Sequence, residues 1–311
     1  MSTKKTDSNK DTEINSDKLK QTVKEKYASI SEQSTGDNAN SCCGTSSGSN
    51  PSEVYNIMTD DYSSVEGYNP DADLGLGCGL PTEFAHINEG DTVIDLGSGA
   101  GNDCFVARHE TGSTGKVLGI DFTESMIKKA RMNAEKLGYN NVEFRLGDID
   151  DMPVSDDLAD VIVSNCVLNL VPDKQKVISE IFRTLKPGGH FSISDIVLAG
   201  ELPDALKEDA EMYAGCVAGA IQKSEYLGYI RDQGFENITL QKEKPITIPD
   251  DILSRYLSDD EIEEFNTGDT GIYSITVYAE KPSRDEETDK STNREKITMS
   301  GPACTPGSGC C

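Results

Sequence analysis

The order of segments predicts an α/β fold: a doubly wound, mostly parallel sheet with a smaller C-terminal lobe. Three observations carry this. Between residues 92 and 198, short β-rich runs alternate with helical patterns, the sequence mark of a parallel sheet covered on both faces. The first of these runs meets a glycine-rich turn, DLGSGAGND (95–103). The chain has 311 residues, 35% of them hydrophobic, enough to bury a full core without staples.

The elements follow in order. TVIDLG (92–97) is a strand that runs into glycines, and GNDCFVARHE (101–110) reads as the helix after it. KVLGID (116–121) is a strand ending on an acid. TESMIKKARMNAEKLG (123–138) is an amphipathic helix with Thr123 as N-cap and Gly138 as C-cap. VEFRLGD (142–148) and ADVIVSNC (159–166) are further strands. DKQKVISEIFRTLKPGG (173–189) puts Val177, Ile178, Ile181 and Leu185 on one helical face and stops at Pro187-Gly188-Gly189. HFSISDIVL (190–198) is the fifth strand.

After residue 198 the pattern changes. ALKEDAEMYAGCVAGAI (205–221) and SEYLGYIRDQGF (224–235) read as helical, NITLQKEKPITI (237–248) and GIYSITVYAE (271–280) as strands. They form either a second lobe or an extension that completes the sheet. Four regions result: a polar segment at 1–50, a central domain at 51–198, a C-terminal lobe at 199–281 and a low-complexity tail at 282–311. The first and last have the composition of disordered chain, except that Leu19, Val23, Tyr27 and Ile30 fall at the spacing of a short docking helix.

Charge narrows the function. The 29 basic residues face 55 acidic ones, a net charge of −26. Such a chain repels nucleic acid and anionic membrane, so neither is expected as a partner. Acids also crowd the folded region (Asp148, Asp150, Asp151, Asp156, Asp157), which favours a halophile's protein over an acidic mesophilic one with charged tails. The opening MSTKKTDSNK has no apolar stretch of a secretory leader, and no apolar run is long enough to span a bilayer. The expected location is the cytoplasm, where nine cysteines act as ligands, redox groups or core residues more readily than as structural disulfides.

The glycine turn places Asp95, Gly97, Gly99 and Gly101 where a ligand can press on backbone at a helix N-terminus. A dinucleotide loop asks for its third glycine at position 102, where this chain has Asn102. Asp121, at the end of the second strand, is placed to accept both hydroxyls of a ribose. D-x-G-x-G-x-G followed by that acid, with LKPGG before the fifth strand, resembles the Rossmann-like S-adenosylmethionine-dependent methyltransferases over roughly residues 90–198. That resemblance implies that GDIDD, with Asp148, lies against the adenine.

The cysteines sharpen the reading. Cys78 (GLGCGLP), Cys166 (SNCVLNL) and Cys216 (YAGCVAGA) are separated by 88 (166 − 78) and 50 (216 − 166) residues, unlike a local zinc ribbon. Cys166 closes the fourth strand on the ligand side, Cys78 sits in a Gly-rich loop before the first strand, and Cys216 lies in the added lobe. Three converging thiolates form a soft site. Zinc asks for a fourth ligand; trivalent arsenic takes three sulfurs and keeps a nucleophilic lone pair.

With the upstream doublet Cys42-Cys43, the segments LGCGLP, VIDLGSGAGND, SNCVLNLV and YAGCVAGA resemble the arsenite S-adenosylmethionine methyltransferases over most of 42–220. The resemblance implies arsenic binding and redox roles for Cys78, Cys166 and Cys216, one further thiol from the doublet (Cys43 rather than Cys42), and a cofactor site lined also by Asn102, Met126, Ile149 and Asn165. It implies S-adenosylmethionine as cofactor and arsenite or its thiol conjugates as substrate, with thioredoxin or a small thiol as reductant. Cys104 reads as core. Cys304, Cys310 and Cys311 stay outside the catalytic set, and His86, His109 and His190 show no acid–base pairing. Two rivals stand beside this: a thiolate protein that only sequesters arsenic or metal, and a different small-molecule methyltransferase with incidental cysteines.

Overall fold

The computed structural model of the chain describes residues 20–21, 23–25, 27–29, 60–207, 217, 219–268 and 270–283. Cys42, Cys43, Cys216, Cys304, Cys310 and Cys311 lie outside the described residues, as do Leu19 and Ile30 of the docking helix.

Eight strands form one sheet among the described residues: β1 (Thr92–Leu96), β2 (Lys116–Asp121), β3 (Val142–Leu146), β4 (Ala159–Asn165), β5 (Leu185–Ala199), β6 (Ile221–Gln222), β7 (Glu236–Ile246) and β8 (Gly271–Glu280). The spatial order is β3-β2-β1-β4-β5-β8-β7, with β6 beside the end of β5. Strands β1 to β5 are mutually parallel, while β8 runs antiparallel to β5 and β7 to β8. The order reverses between β1 and β4, and a crevice opens there at the carboxyl ends of the strands.

Alternation along the central strands builds two cores. Val93, Val117, Val161 and Val163 pack with Phe105 of α1 (Asn102–Thr111) and with Met126, Ile127 and Ala130 of α2 (Glu124–Leu137). Ile94, Leu118, Ile120 and Ile162 face the other way. They pack with Val177, Ile178 and Ile181 of α3 (Lys174–Thr184) and with Tyr226 and Ile230 of α4 (Lys223–Gln233). Gly138 closes α2 in the left-handed region as expected, whereas Thr123 stands at its N-cap without a side-chain capping bond; Asp173 caps α3, accepting the Lys176 N–H at 3.0 Å.

Three boundaries differ from the sequence reading. α3 ends at Thr184, and Pro187-Gly188-Gly189 belongs to the extended β5. The reason is a distant partner: the Gly188 N–H donates to the Lys281 carbonyl at 2.9 Å and the Lys281 N–H to the Gly189 carbonyl at 2.8 Å. Ile221 is strand rather than helix, paired with Val197. The late strands β7 and β8 complete the sheet, and α5 (Asp259–Thr267) adds Ile262 to a third cluster beside it. That cluster also holds Val23, whose described neighbours Lys24 and Glu25 are helical with it. No helix among the described residues is long and apolar enough to cross a membrane.

Candidate functional site

The glycine turn folds around Asp121. Gly97 and Ser98 donate their N–H groups to the Ile120 carbonyl, at 2.8 and 3.0 Å. The Gly99 N–H then reaches Asp121 Oδ2 at 3.0 Å, and the Thr123 N–H reaches Oδ1 at 2.8 Å. Gly97 has φ 67°, and a Cβ there would stand 2.4 Å from Val167, so only glycine fits. Asp121 is thereby fixed at the mouth of the crevice with lone pairs left for a ligand. Burial raises its pKa, and the Thr123 and Gly99 N–H groups pull it back.

Around it lies a cleft rich in acid. Asp73, Asp95, Asp103 and Asp121 line it with Gly97, Gly99, Asn102, Met126, Asn165 and Cys166, and no Lys, Arg or His is among the described lining residues. Burial and the neighbouring Asp103 push the Asp95 carboxyl well up, against a Cys104 thiol that donates to it at 3.2 Å. Asp103 is pushed up to about 6, chiefly by burial, with hydrogen bonds from Tyr62 and Asn165 opposing.

A pyrophosphate has no counter-charge here, whereas a cation does. Ser98 Oγ and Asn102 Oδ1, both of residues that line the cleft, are buried without a protein partner. Polar groups of this kind ask for a ligand that hydrogen-bonds. The site therefore fits S-adenosylmethionine: acids for its sulfonium and ammonium charges, Asp121 for the ribose, and Met126 as an apolar wall.

Two buried thiols share a cluster beside this cleft, and Cys166 lines it. Cys78 and Cys166 are both buried, 1% and 4% exposed, in one cluster with Leu170, Ile196 and Val217. Asn165 Oδ1 accepts the Cys78 N–H at 2.9 Å, and the Cys166 N–H donates to the Ser194 carbonyl at 2.8 Å. Cys166 has φ 61°, a left-handed turn that costs a non-glycine residue about 1–3 kcal/mol and brings the strand end round to the cleft.

The Cys78 loop lies against the strands because both its flanks are glycine. A Cβ on Gly77 would stand 2.6 Å from Asn165 Nδ2, and one on Gly79 2.5 Å from Ser194 Oγ. Behind the pair, Tyr226 donates to buried Asp195 at 3.5 Å and lies within electrostatic range of both thiols. Burial pushes the Asp195 carboxyl up to about 7.

The remaining candidates fall in three places. Gly101 caps α1 with φ 100° and packs on Phe105 and Phe144 rather than lining the cleft. Ile149 is buried in the core with Ile120. Asp148 borders a second depression with Phe122, Lys20 and Lys24, where Lys20 binds Asp150 at 2.9 Å and Asp148 at 3.4 Å. Sequence reasoning missed Tyr62, Asp103, Asp195 and Tyr226. Asp103 alone carried a local signal, as an acid in the first turn after the glycine loop.

Comparison with known proteins agrees with this geometry. Residues 87–234 match the family model described as a methyltransferase domain. An arsenite methyltransferase of Halobacterium salinarum is 40% identical over 283 residues, covering 87% of this chain and 68% of its own length. One from Aquipseudomonas alcaligenes is 34% identical over 248 residues, covering 78% and 69%. The crystal structure of CrArsM, an arsenic(III) S-adenosylmethionine methyltransferase from Chlamydomonas reinhardtii, superposes with a TM-score of 0.55 at 32% identity, over 65% of this chain and 66% of that one. The chain thus spans about two thirds of the length of these relatives.

Proposed function

The chain belongs to the arsenite methyltransferase family, and on that premise we propose that it methylates trivalent arsenic held by cysteine thiolates at the edge of the acid cleft. The observation that carries this is that Cys78, bonded at its N–H to Asn165 across 87 residues, and Cys166 lie in one buried cluster beside a cleft lined by Cys166, Asn165, Asp95 and Asp121.

S-adenosylmethionine, when bound, supplies an electrophilic methyl on a sulfonium. Asp121 holds its ribose, the turn at Gly97 and Gly99 gives it close backbone, and Asp95 and Asp103 face its charge. The chain's own thiols act on the substrate. Each Sγ replaces one oxygen of arsenite, the thiol proton leaving with that oxygen as water. Cys78, Cys166 and Cys216 together complete three As–S bonds. Val217, next in sequence to Cys216, is 3% exposed in the same cluster as the other two thiols, which favours this set.

The surrounding Leu170, Ile196 and Leu198 keep water from the sulfurs. The cage aims the arsenic lone pair at the cleft, and the rate comes mainly from that orientation. Taking a methyl cation raises arsenic by two oxidation units. Two thiols, with Cys43 as one source, return two electrons and become a disulfide, which thioredoxin or a small thiol in a reducing cytoplasm reopens.

The test is incubation of the protein with S-adenosylmethionine, arsenite and a thiol reductant, with arsenic speciation by mass spectrometry. Methylated arsenic is expected with stoichiometric S-adenosylhomocysteine. Tight arsenic binding without any consumption of S-adenosylmethionine would show a sequestering protein instead, a reading that leaves the acid cleft without a purpose.

A further inference from the structure

A fully connected hydrogen-bond network joins the acid cleft to the thiol pair. Tyr62, 4% exposed, donates its hydroxyl to Asp103 Oδ1 at 2.7 Å. The same hydroxyl lies 3.2 Å from the Gly79 carbonyl, but one proton serves one acceptor well, and the carboxylate is the nearer and the charged one. Asn165 supplies the rest. Its Nδ2 donates to the Tyr62 oxygen at 2.7 Å and to the Gly79 carbonyl at 2.9 Å, and stands 3.3 Å from Asp103 Oδ2. Its Oδ1 accepts the Cys78 N–H at 2.9 Å. The network therefore grips Cys78 from both sides, at its own N–H and at the carbonyl of Gly79. Through the chain it also holds Cys166, the residue after Asn165.

Asp103 is the end of this network that faces the acid cleft. It lies in the first turn of α1 and lines the cleft. Burial first, and the charge of Asp73 with it, oppose its ionised form. A cation in the cleft reverses that balance, and an ionised Asp103 is the stronger acceptor for Tyr62. Tightening that bond tightens the seat of Cys78.

We infer that Tyr62 and Asp103 are positioning residues that couple occupation of the acid cleft to the geometry of the Cys78–Cys166 pair, so that cofactor and trivalent arsenic each strengthen the binding of the other. This rests on the function proposed above. Its consequence is order: a thiol site seated fully only when the methyl donor is in place captures arsenic where it is methylated. By linkage, the factor by which cofactor improves arsenic binding equals the factor by which arsenic improves cofactor binding.

The test uses two probes that do not react with each other. Phenylarsine oxide is captured by two thiols, its oxygen leaving as water with their protons. Sinefungin carries an ammonium where S-adenosylmethionine carries its sulfonium, and transfers no methyl. Phenylarsine oxide affinity is measured on the full chain with Cys42, Cys43, Cys304, Cys310 and Cys311 changed to serine, by competition with dimercaptosuccinate, with and without saturating sinefungin. The wild-type protein should gain about fivefold or more from sinefungin.

In Tyr62→Phe, which keeps the ring against Tyr68 at 6.5 Å between centroids and removes only the hydroxyl, the gain should fall to within about twofold of none. Asp103→Asn should lose it equally, since an amide carries no charge to respond to the cation. A wild-type protein without the gain overturns the inference, as does either variant that keeps it. If Cys166→Ser binds phenylarsine oxide as tightly as wild type, the thiolate site itself is wrong, a failure distinct from loss of coupling.

Discussion

Gly79→Ala tests the position of the Cys78 loop without removing a single ligand. The added Cβ would stand 2.7 Å from Ser194 Cβ and 2.5 Å from its Oγ. Ser194 cannot give way. It is paired across β5 and β8 with Thr276, and their hydroxyls bond at 2.9 Å in a fully buried layer. Ordinary contact begins at 3.4 Å, so the loop must retreat by at least 3.4 − 2.7 = 0.7 Å. Overpacking of this kind destabilises by about 1–3 kcal/mol. A displacement near 1 Å at a reacting group lowers rate by up to about a hundredfold, so arsenite methylation should fall about tenfold to a hundredfold.

Calorimetry should show S-adenosylmethionine still bound, with a smaller loss than the loss of rate, because Asp121 at the end of β2 and the glycine turn after β1 keep their places. Gly228→Ala is the matched control. Its Cβ meets nothing within 4 Å inside α4, so it should hold full rate and gain up to about 1 kcal/mol of stability. A Gly79→Ala enzyme that methylates arsenite at the wild-type rate would refute the claim that the loop's seat positions Cys78.

Three further outcomes follow from the same geometry. Asp121→Ala should weaken S-adenosylmethionine binding by about tenfold to a hundredfold, a loss of roughly 1.5–3 kcal/mol; unchanged affinity by calorimetry would remove Asp121 from the ribose. Cofactor affinity should be level above about pH 7 and fall as pH drops through about 6, since Asp103, held near 6 by burial, must be ionised to face a cation and Asp95 shifts in the same direction. Titrations from pH 5 to 8 that are flat or rise toward acid would contradict the electrostatic account of the cleft. Melting temperature should rise steeply along a potassium chloride series, because screening relieves the self-repulsion of a net charge of −26; a flat series would remove the halophile argument.

The parts legible in the sequence are those whose cause is local. Alternating valines and isoleucines in TVIDLG and ADVIVSNC announce strands buried on both faces, and the glycines of DLGSGAGND announce a backbone turned toward a ligand. Cys78 and Cys166 were legible because glycines flank the one and the strand end presents the other. What escaped depends on distant partners. LKPGG reads as a helix stop, and only the pairing of Gly188 and Gly189 with Lys281 makes it strand. Tyr62 meets Asn165 across 103 residues, and nothing in DDYSSVEG points there. Cys104 sits in the core as expected, yet its thiol also holds Asp95, a bond that periodicity does not show. Helix α5 did carry a local signal, the Ser258 to Glu261 capping box, in a stretch to which the sequence reading assigned no element.

The most direct measurement is arsenic speciation by Cys166→Ser with arsenite and S-adenosylmethionine, beside cofactor binding by calorimetry on the same protein. Serine keeps the shape of the turn at φ 61° but offers arsenic a hard, poorly ionised oxygen. The predicted result is no detectable methylarsenic from either arsenite or methylarsonous acid, with cofactor affinity within about threefold of wild type. Methylation of arsenite by Cys166→Ser at the wild-type rate would contradict the thiolate mechanism.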